Sequence, residues 1–332
     1  RLTVTQTGAN VVGQKVSDGI DTLRNVEQAR FSDQTISLSP PNAPVIGTAT
    51  AANASATVTW TAPAGAATAG ITGYEIVVNV GGIPVRTVSG IPATARTRLV
   101  TGLTNGTTYT LQVRAVNVWG FSSLSAETNP VTPFGPAGAP TAVVAVRGNQ
   151  LVNLSWTAPA SNGGSAITGY RIQVRTGVTV VRTIDLTGTA TNTVVTGLNN
   201  GTAYNFRVAT LNAAGASAFS TQSNTVTPAT VPDAPGILAP AQGPAGGALT
   251  AVANWSAPAN TGGSVIAGYR VSALQMAADG TTVIGTTTVN VGATIRTRSF
   301  TLANGTYRFE VVAFNAVGDS LPSARSDLVQ PR

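Results

Sequence analysis

One stretch recurs three times in this chain: LTNGTTYTLQVRAVNVWG at 103–120, LNNGTAYNFRVATLNAAG at 198–215, and LANGTYRFEVVAFNAVG at 302–318, the last one residue shorter before its tyrosine. Each copy holds the same place in a longer repeat. The repeat opens on Ala-Pro at Pro44, Pro140 and Pro235, and a short run then ends in Trp60, Trp156 or Trp255. A Gly-Tyr pair follows at Tyr74, Tyr170 and Tyr269, and the repeat closes on Val-x-Pro at Pro133, Pro228 and Pro331. The tryptophans stand 96 and 99 residues apart, the length of one small domain, so the chain must solve one folding problem three times over.

The pattern inside each repeat has a period of two. Tyr109, Leu111, Val113 and Ala115 alternate with Thr110, Gln112, Arg114 and Val116, and Tyr170, Ile172 and Val174 alternate with Arg171, Gln173 and Arg175. That is the signature of half-buried strands, and no long 3.6-residue stripe competes with it. With Gly, Pro and Asn punctuating the runs, roughly seven short strands per repeat predict an antiparallel sandwich. The expected divisions are 1–40, 41–135, 136–229 and 230–332. The connections SPPNAP (39–44), PFGPAGAP (133–140) and PATVPDAP (228–235) are proline-rich and expected to act as semi-rigid spacers.

These repeats resemble fibronectin type III domains. The resemblance rests on the tryptophan of the second strand, at Trp60, Trp156 and Trp255, and on the tyrosine after the Asn-Gly turn, at Tyr109, Tyr204 and Tyr307. It implies an all-β tandem array of three fibronectin type III (immunoglobulin-like) sandwiches, preceded by a short N-terminal β segment. It also implies a tyrosine corner in each repeat, the hydroxyl bonding back to upstream backbone. The family's Arg-Gly-Asp adhesion motif is absent; the corresponding loop reads Val317-Gly318-Asp319-Ser320.

Composition removes most catalytic chemistry. The chain has no cysteine and no histidine, which excludes disulfides, zinc–thiolate centres and every triad that needs a Cys or His. Only 9% of residues are charged, and the 12 carboxylates are too scattered to suggest an acid–base pair. No enzyme is expected. The net charge of +7 is spread along the chain without a basic cluster, so nucleic acid is not an expected partner. No apolar run is long enough to enter a membrane.

Residues 1–40 stand outside the repeat. SDGIDTLRNVEQARFSDQTISL, from Ser17 to Leu38, resembles the closing tail after RTX-type calcium repeats in large secreted bacterial proteins, some with a peroxidase-like region. The glycine-aspartate nonapeptides that bind calcium in that family are missing, so no cofactor is assigned; if calcium is held there, Asp18, Asp21 and Asp33 are the carboxylates suited to it. Together with the start at Arg1, this resemblance leads to the expectation of a tail of a larger exported protein.

Two surface features are candidate partner contacts. Trp119 is the only tryptophan outside the repeated core position and Phe121 lies beside it; the pair is expected either to pack on the 133–140 linker or to meet a protein or polysaccharide surface. Arg171, Arg175, Arg207 and Arg182 are expected on one outer face, as a solvated strip or as a contact for an anionic polymer. Three roles are open: a spacer, display or adhesion array of a secreted or cell-surface bacterial protein; a subunit of a self-assembling filament, sheath or phage tail appendage; or a polysaccharide-binding accessory tail of a secreted hydrolase or peroxidase.

Overall fold

The computed structural model describes residues 39–64 and 70–332, together with the backbone of three short strands, β1 (Thr3–Thr5), β2 (Gln28–Arg30) and β3 (Thr35–Ser37), which pair in the order β1-β2-β3. Asp18, Asp21 and Asp33 lie outside the described residues.

The first repeat contains β4 (Val45–Ala52), β5 (Ser55–Thr61), β6 (Gly73–Val80), β7 (Ile83–Pro92), β8 (Thr97–Thr101), β9 (Thr110–Asn117) and β10 (Gly120–Phe121). They form two antiparallel sheets, β4-β5-β8 and β10-β9-β6-β7. The second repeat copies this with β11 (Thr141–Arg147), β12 (Leu151–Thr157), β13 (Ile167–Thr176), β14 (Thr179–Thr187), β15 (Asn192–Thr196), β16 (Asn205–Asn212) and β17 (Gly215–Ala216), ordered β11-β12-β15 and β14-β13-β16-β17. In the third, the first strand is broken into β18 (Gly236–Ile237) and β19 (Ala241–Gln242); both flank β20 (Thr250–Ser256), which also pairs β23 (Thr297–Thr301). Its second sheet sets β21 (Ile266–Met276) between β22 (Val283–Gly292) and β24 (Thr306–Asn315).

Alternation along these strands places one face of each sheet inward. Trp60, Trp156 and Trp255 are buried, and each meets the buried tyrosine fourteen residues on, Tyr74, Tyr170 or Tyr269, with ring centroids 5.3, 5.1 and 5.7 Å apart. The first two pairs meet edge to face. Such contacts add about 0.5–1.5 kcal/mol to the area they bury.

The tyrosine corner differs between repeats. Tyr109 Oη accepts the Thr104 amide at 3.0 Å, and Tyr204 Oη accepts the Asn199 amide at 3.2 Å. Tyr307 is buried and bridges Val329, as Tyr109 and Tyr204 bridge Val131 and Val226, but its hydroxyl makes no bond of this kind. The residue missing before Tyr307 removes the loop position that would present the amide.

By contact, the described chain separates into two compact units: residues up to 138 with 159–168 and 210–217, and residues 139–158, 169–209 and 218–332. The connection from the first repeat to the loops of the second falls inside the first unit, and that from the second repeat to the third falls inside the second.

Candidate functional site

Past the two-residue strands β10 and β17, and at the same place in the third repeat, the segment after each Asn-x-x-Gly turn continues as a ladder with a three-residue step. Ser122, Ser125 and Thr128 are buried along β9; Ser217, Ser220 and Ser223 follow β16, and Ser320, Ser323 and Ser326 follow β24. Each gives its amide to a strand carbonyl and takes that same residue's amide on its hydroxyl. Ser220 shows the pattern: its amide reaches Val208 O at 2.8 Å, Val208 N–H reaches Ser220 Oγ at 3.0 Å, and Oγ donates to Thr221 O at 2.7 Å. A period of three is that of polyproline II, which makes no hydrogen bonds of its own; the hydroxyls supply the acceptors that a neighbouring strand would have offered. The signal was in the sequence, as Ser/Thr at every third position, but a search for period two passes over it.

The asparagine of each Asn-x-x-Gly turn fastens the end of its sandwich to the preceding connection. Asn212 Nδ2 donates to Gly135 O and to Asn162 O, both at 2.8 Å. Asn315 Nδ2 donates to Thr230 O at 2.8 Å and Thr261 O at 2.9 Å. Asn117 Nδ2 donates to Ser39 O at 3.0 Å. Each side-chain oxygen accepts the amide two residues on, so the turn and the connection share one side chain.

Two connections are built alike. Gly106 N–H donates to Pro133 O and Gly201 N–H to Pro228 O; Gly135 N–H donates to Gly163 O and Thr230 N–H to Gly262 O; Gly138 N–H donates to Ser161 O and Asp233 N–H to Asn260 O. The double glycines let backbones meet. A Cβ on Gly164 would stand 2.4 Å from Gly106 N, and one on Gly263 would stand 2.4 Å from Gly201 N. Both glycines have positive φ, +83° and +80°, which other residues adopt only under strain.

Trp119 and Phe121 are 50% and 47% exposed. The expectation that they pack on the 133–140 linker is not met. They follow the end of β9 opposite Tyr109, whose bridge to Val131 marks where that linker begins, and a Cβ on Gly120 would instead face Pro40 at 3.8 Å. Phe121 does find a neighbour: the Arg114 guanidinium lies 3.9 Å from its ring centroid, and Arg114 is held by Glu75, with Nη2 at 2.7 Å and Nε at 3.0 Å from one carboxylate oxygen. Beside them lies a shallow cleft of about 310 Å³ lined by Thr72, Glu75, Ile91, Pro92, Val116 and Phe121.

The arginines of the second repeat do not form a free strip. Arg171 is paired with Asp185 through two bonds of 2.7 Å, which raise the arginine pKa and lower that of the aspartate. Arg175 donates to Val178 O and Arg182 to Thr196 O. Arg207 is half-buried, with its Nε enclosed. Among the described residues no group of three or more His, Cys, Asp or Glu is arranged to hold a metal ion, and no helix is long and apolar enough to cross a membrane.

Comparison with known proteins locates this architecture. The sequence model of the fibronectin type III domain matches residues 39–131 and 138–226, more than half of the chain. Chitinase A1 of Niallia circulans is 34% identical over 171 residues, which cover 48% of this chain and 22% of that protein. Endoglucanase B of Cellulomonas fimi is 32% identical over 167 residues, 48% of this chain and 15% of that protein. Exoglucanase B of the same species is 31% identical over 281 residues, 79% of this chain and 24% of that protein. The chain therefore spans less than a quarter of each relative's length. The third repeat lies beyond the residues matched by the family model, but it keeps the core Trp–Tyr pair, the serine ladder and the locking asparagine of the other two. By sequence and by strand order, this chain belongs to the fibronectin type III family.

Proposed function

We propose that the chain is a non-catalytic spacer and display array of a secreted or surface-attached bacterial protein, in which the connections between sandwiches do the mechanical work. The observation that carries this is the pair of matching joints, each fastened by an asparagine side chain and closed by a double glycine. A flexible linker would need none of these bonds. Joints made this way transmit position, which suits a segment that holds other parts of a protein at a distance from a surface or along a polymer.

Relaxation of ¹⁵N amides in the intact chain tests the reading. Locked joints give neighbouring repeats one shared rotational correlation time. Independent tumbling of the repeats would overturn the proposal. A second reading, an accessory tail that touches polysaccharide, is favoured by the chitinase, endoglucanase and exoglucanase among the relatives.

A further inference from the structure

We propose that the first repeat carries a carbohydrate-binding cleft whose platform is Phe121. The inference gives a site to the second reading above, and stands independently of whether the joints are rigid.

Three observations converge on one end of this sandwich and are not repeated in the other two. The first is the aromatic ring. Positions matching Phe121 are Ala216 and Asp319, and those matching Trp119 are Ala214 and Val317. In the third repeat Asp319 makes an ordinary ion pair with Arg270 at 2.8 Å, whereas here a ring replaces the acid. The second is the support under the ring. Arg114 is immobilised by Glu75 and lies over Phe121, so the ring is held in place while nearly half its surface stays open. A platform fixed before binding loses little entropy when a ligand lands on it.

The third is a break in the ladder at the cleft. Pairing of β6 with β7 steps from Tyr74–Ile91 to Ile76–Val88, so that Ser89 and Gly90 both stand opposite Glu75, with Gly90 at φ +71°. In the second and third repeats the same pairing runs unbroken through Tyr170–Leu186 to Ile172–Ile184 and through Tyr269–Val291 to Val271–Val289. A bulge leaves a residue outside the ladder, and its backbone groups are free to meet a ligand.

The chemistry selects the ligand class. An open aromatic face suits the apolar C–H face of a pyranose ring, and the Glu75 carboxylate with the bulge backbone offers acceptors and donors for hydroxyls. The charges of Arg114 and Glu75 cancel, which favours a neutral sugar over an anionic polymer. An extended peptide would instead seek the edge of β7, where Pro84 and Pro92 remove two amide donors. The volume lies at the lower end of the roughly 300–1,000 Å³ usual for ligand sites, suited to a short stretch of one saccharide chain.

The test titrates the ¹⁵N-labelled full chain with two probes, the β-1,4-linked hexamers of glucose and of N-acetylglucosamine. With at least one of them, amide shifts should cluster at Thr72–Glu75, Gly90–Ile91 and Phe121. Phe121→Ala should weaken binding by about tenfold or more, a loss typical of a central aromatic contact, while Phe121→Trp keeps it and Trp119→Ala leaves it unchanged. Thermal melting confirms that each variant is folded; Glu75→Gln, which preserves shape, probes the same cleft should Phe121→Ala not fold. Absence of cleft shifts with both hexamers at millimolar concentration, or wild-type binding by both Phe121→Ala and Glu75→Gln, overturns the proposal. Neither result bears on the shared correlation time that tests the spacer reading.

Discussion

Ser220→Ala is the sharpest test of the serine ladder. The substitution removes one oxygen from a buried position and leaves the backbone amide of Val208, a fully buried residue, without an acceptor. An orphaned buried donor costs about 1–3 kcal/mol. The second bond lost, from Ser220 Oγ to Thr221 O, matters less, because Thr221 is exposed and its carbonyl can take water instead. The expected destabilisation is about 2 kcal/mol. For a domain of this size that lowers the melting point of the second repeat by about 10 °C. The assay is urea denaturation of the full chain followed by resolved amide resonances of β16, together with hydrogen exchange at the Val208 amide. Thr221→Ala, between two ladder positions and exposed, should stay within about 0.5 kcal/mol of wild type. If Ser220→Ala matches Thr221→Ala, and Val208 remains protected from exchange, the hydroxyl is not the acceptor that holds this segment, and the argument for all nine ladder positions fails with it.

Other outcomes follow from the same reasoning. Tyr204→Phe should destabilise its repeat by about 1 kcal/mol through loss of the corner bond, whereas Tyr307→Phe, which has no such bond to lose, should be neutral by the same denaturation assay. Gly164→Ala or Gly263→Ala should leave the cores folded and split the shared correlation time of the adjoining repeats, since a residue with a side chain at that φ costs about 1–2 kcal/mol before any clash with the facing backbone. Asp279 is bonded by the Thr282 hydroxyl and by the amides of Thr282 and Thr281, which hold its carboxyl well below the usual carboxylate range. A depressed pKa contributes stability above the unfolded value, about 3.9, and loses it only as pH falls through the folded one. The 279–282 turn should therefore survive at pH 3, and a carboxyl-carbon titration of Asp279 centred near 4 would refute this.

The parts of the fold that each repeat makes by itself were legible. The tryptophan and the tyrosine fourteen residues later stand on facing sheets, and alternation along each strand turns both inward, where they meet in the core. Two kinds of feature were not legible. The joints depend on contacts between repeats, so Gly163-Gly164 and Gly262-Gly263 read as ordinary loop glycines until the facing backbones of Gly106 and Gly201 are in view. The repeated Asn-Gly-Thr was read as a turn, and that reading left out its position against the next sandwich. The pairing of Arg171 was not legible for a similar reason: Asp185 lies fourteen residues away, and only strand pairing brings the two together. At Phe121 the aromatic was visible, but its support by Arg114 and Glu75 needed β6 and β9 side by side.

The serine ladder also governs how these molecules can polymerise. Growth of a fibre by strand addition requires two receptive edges on each sheet, one to join and one to be joined. In the sheet containing β9, β16 or β24, one side is already occupied, since alternate amides of those strands are bound to hydroxyls along a segment whose three-residue step cannot template a further strand. That leaves β7, β14 or β22 as the single receptive edge. Pairing through one such edge consumes the partner's matching edge in the same event, so each of these sheets can join one neighbour and no more. A chain with so few charges to keep neighbours apart thus has a valence of one at each of its three sheets of this kind.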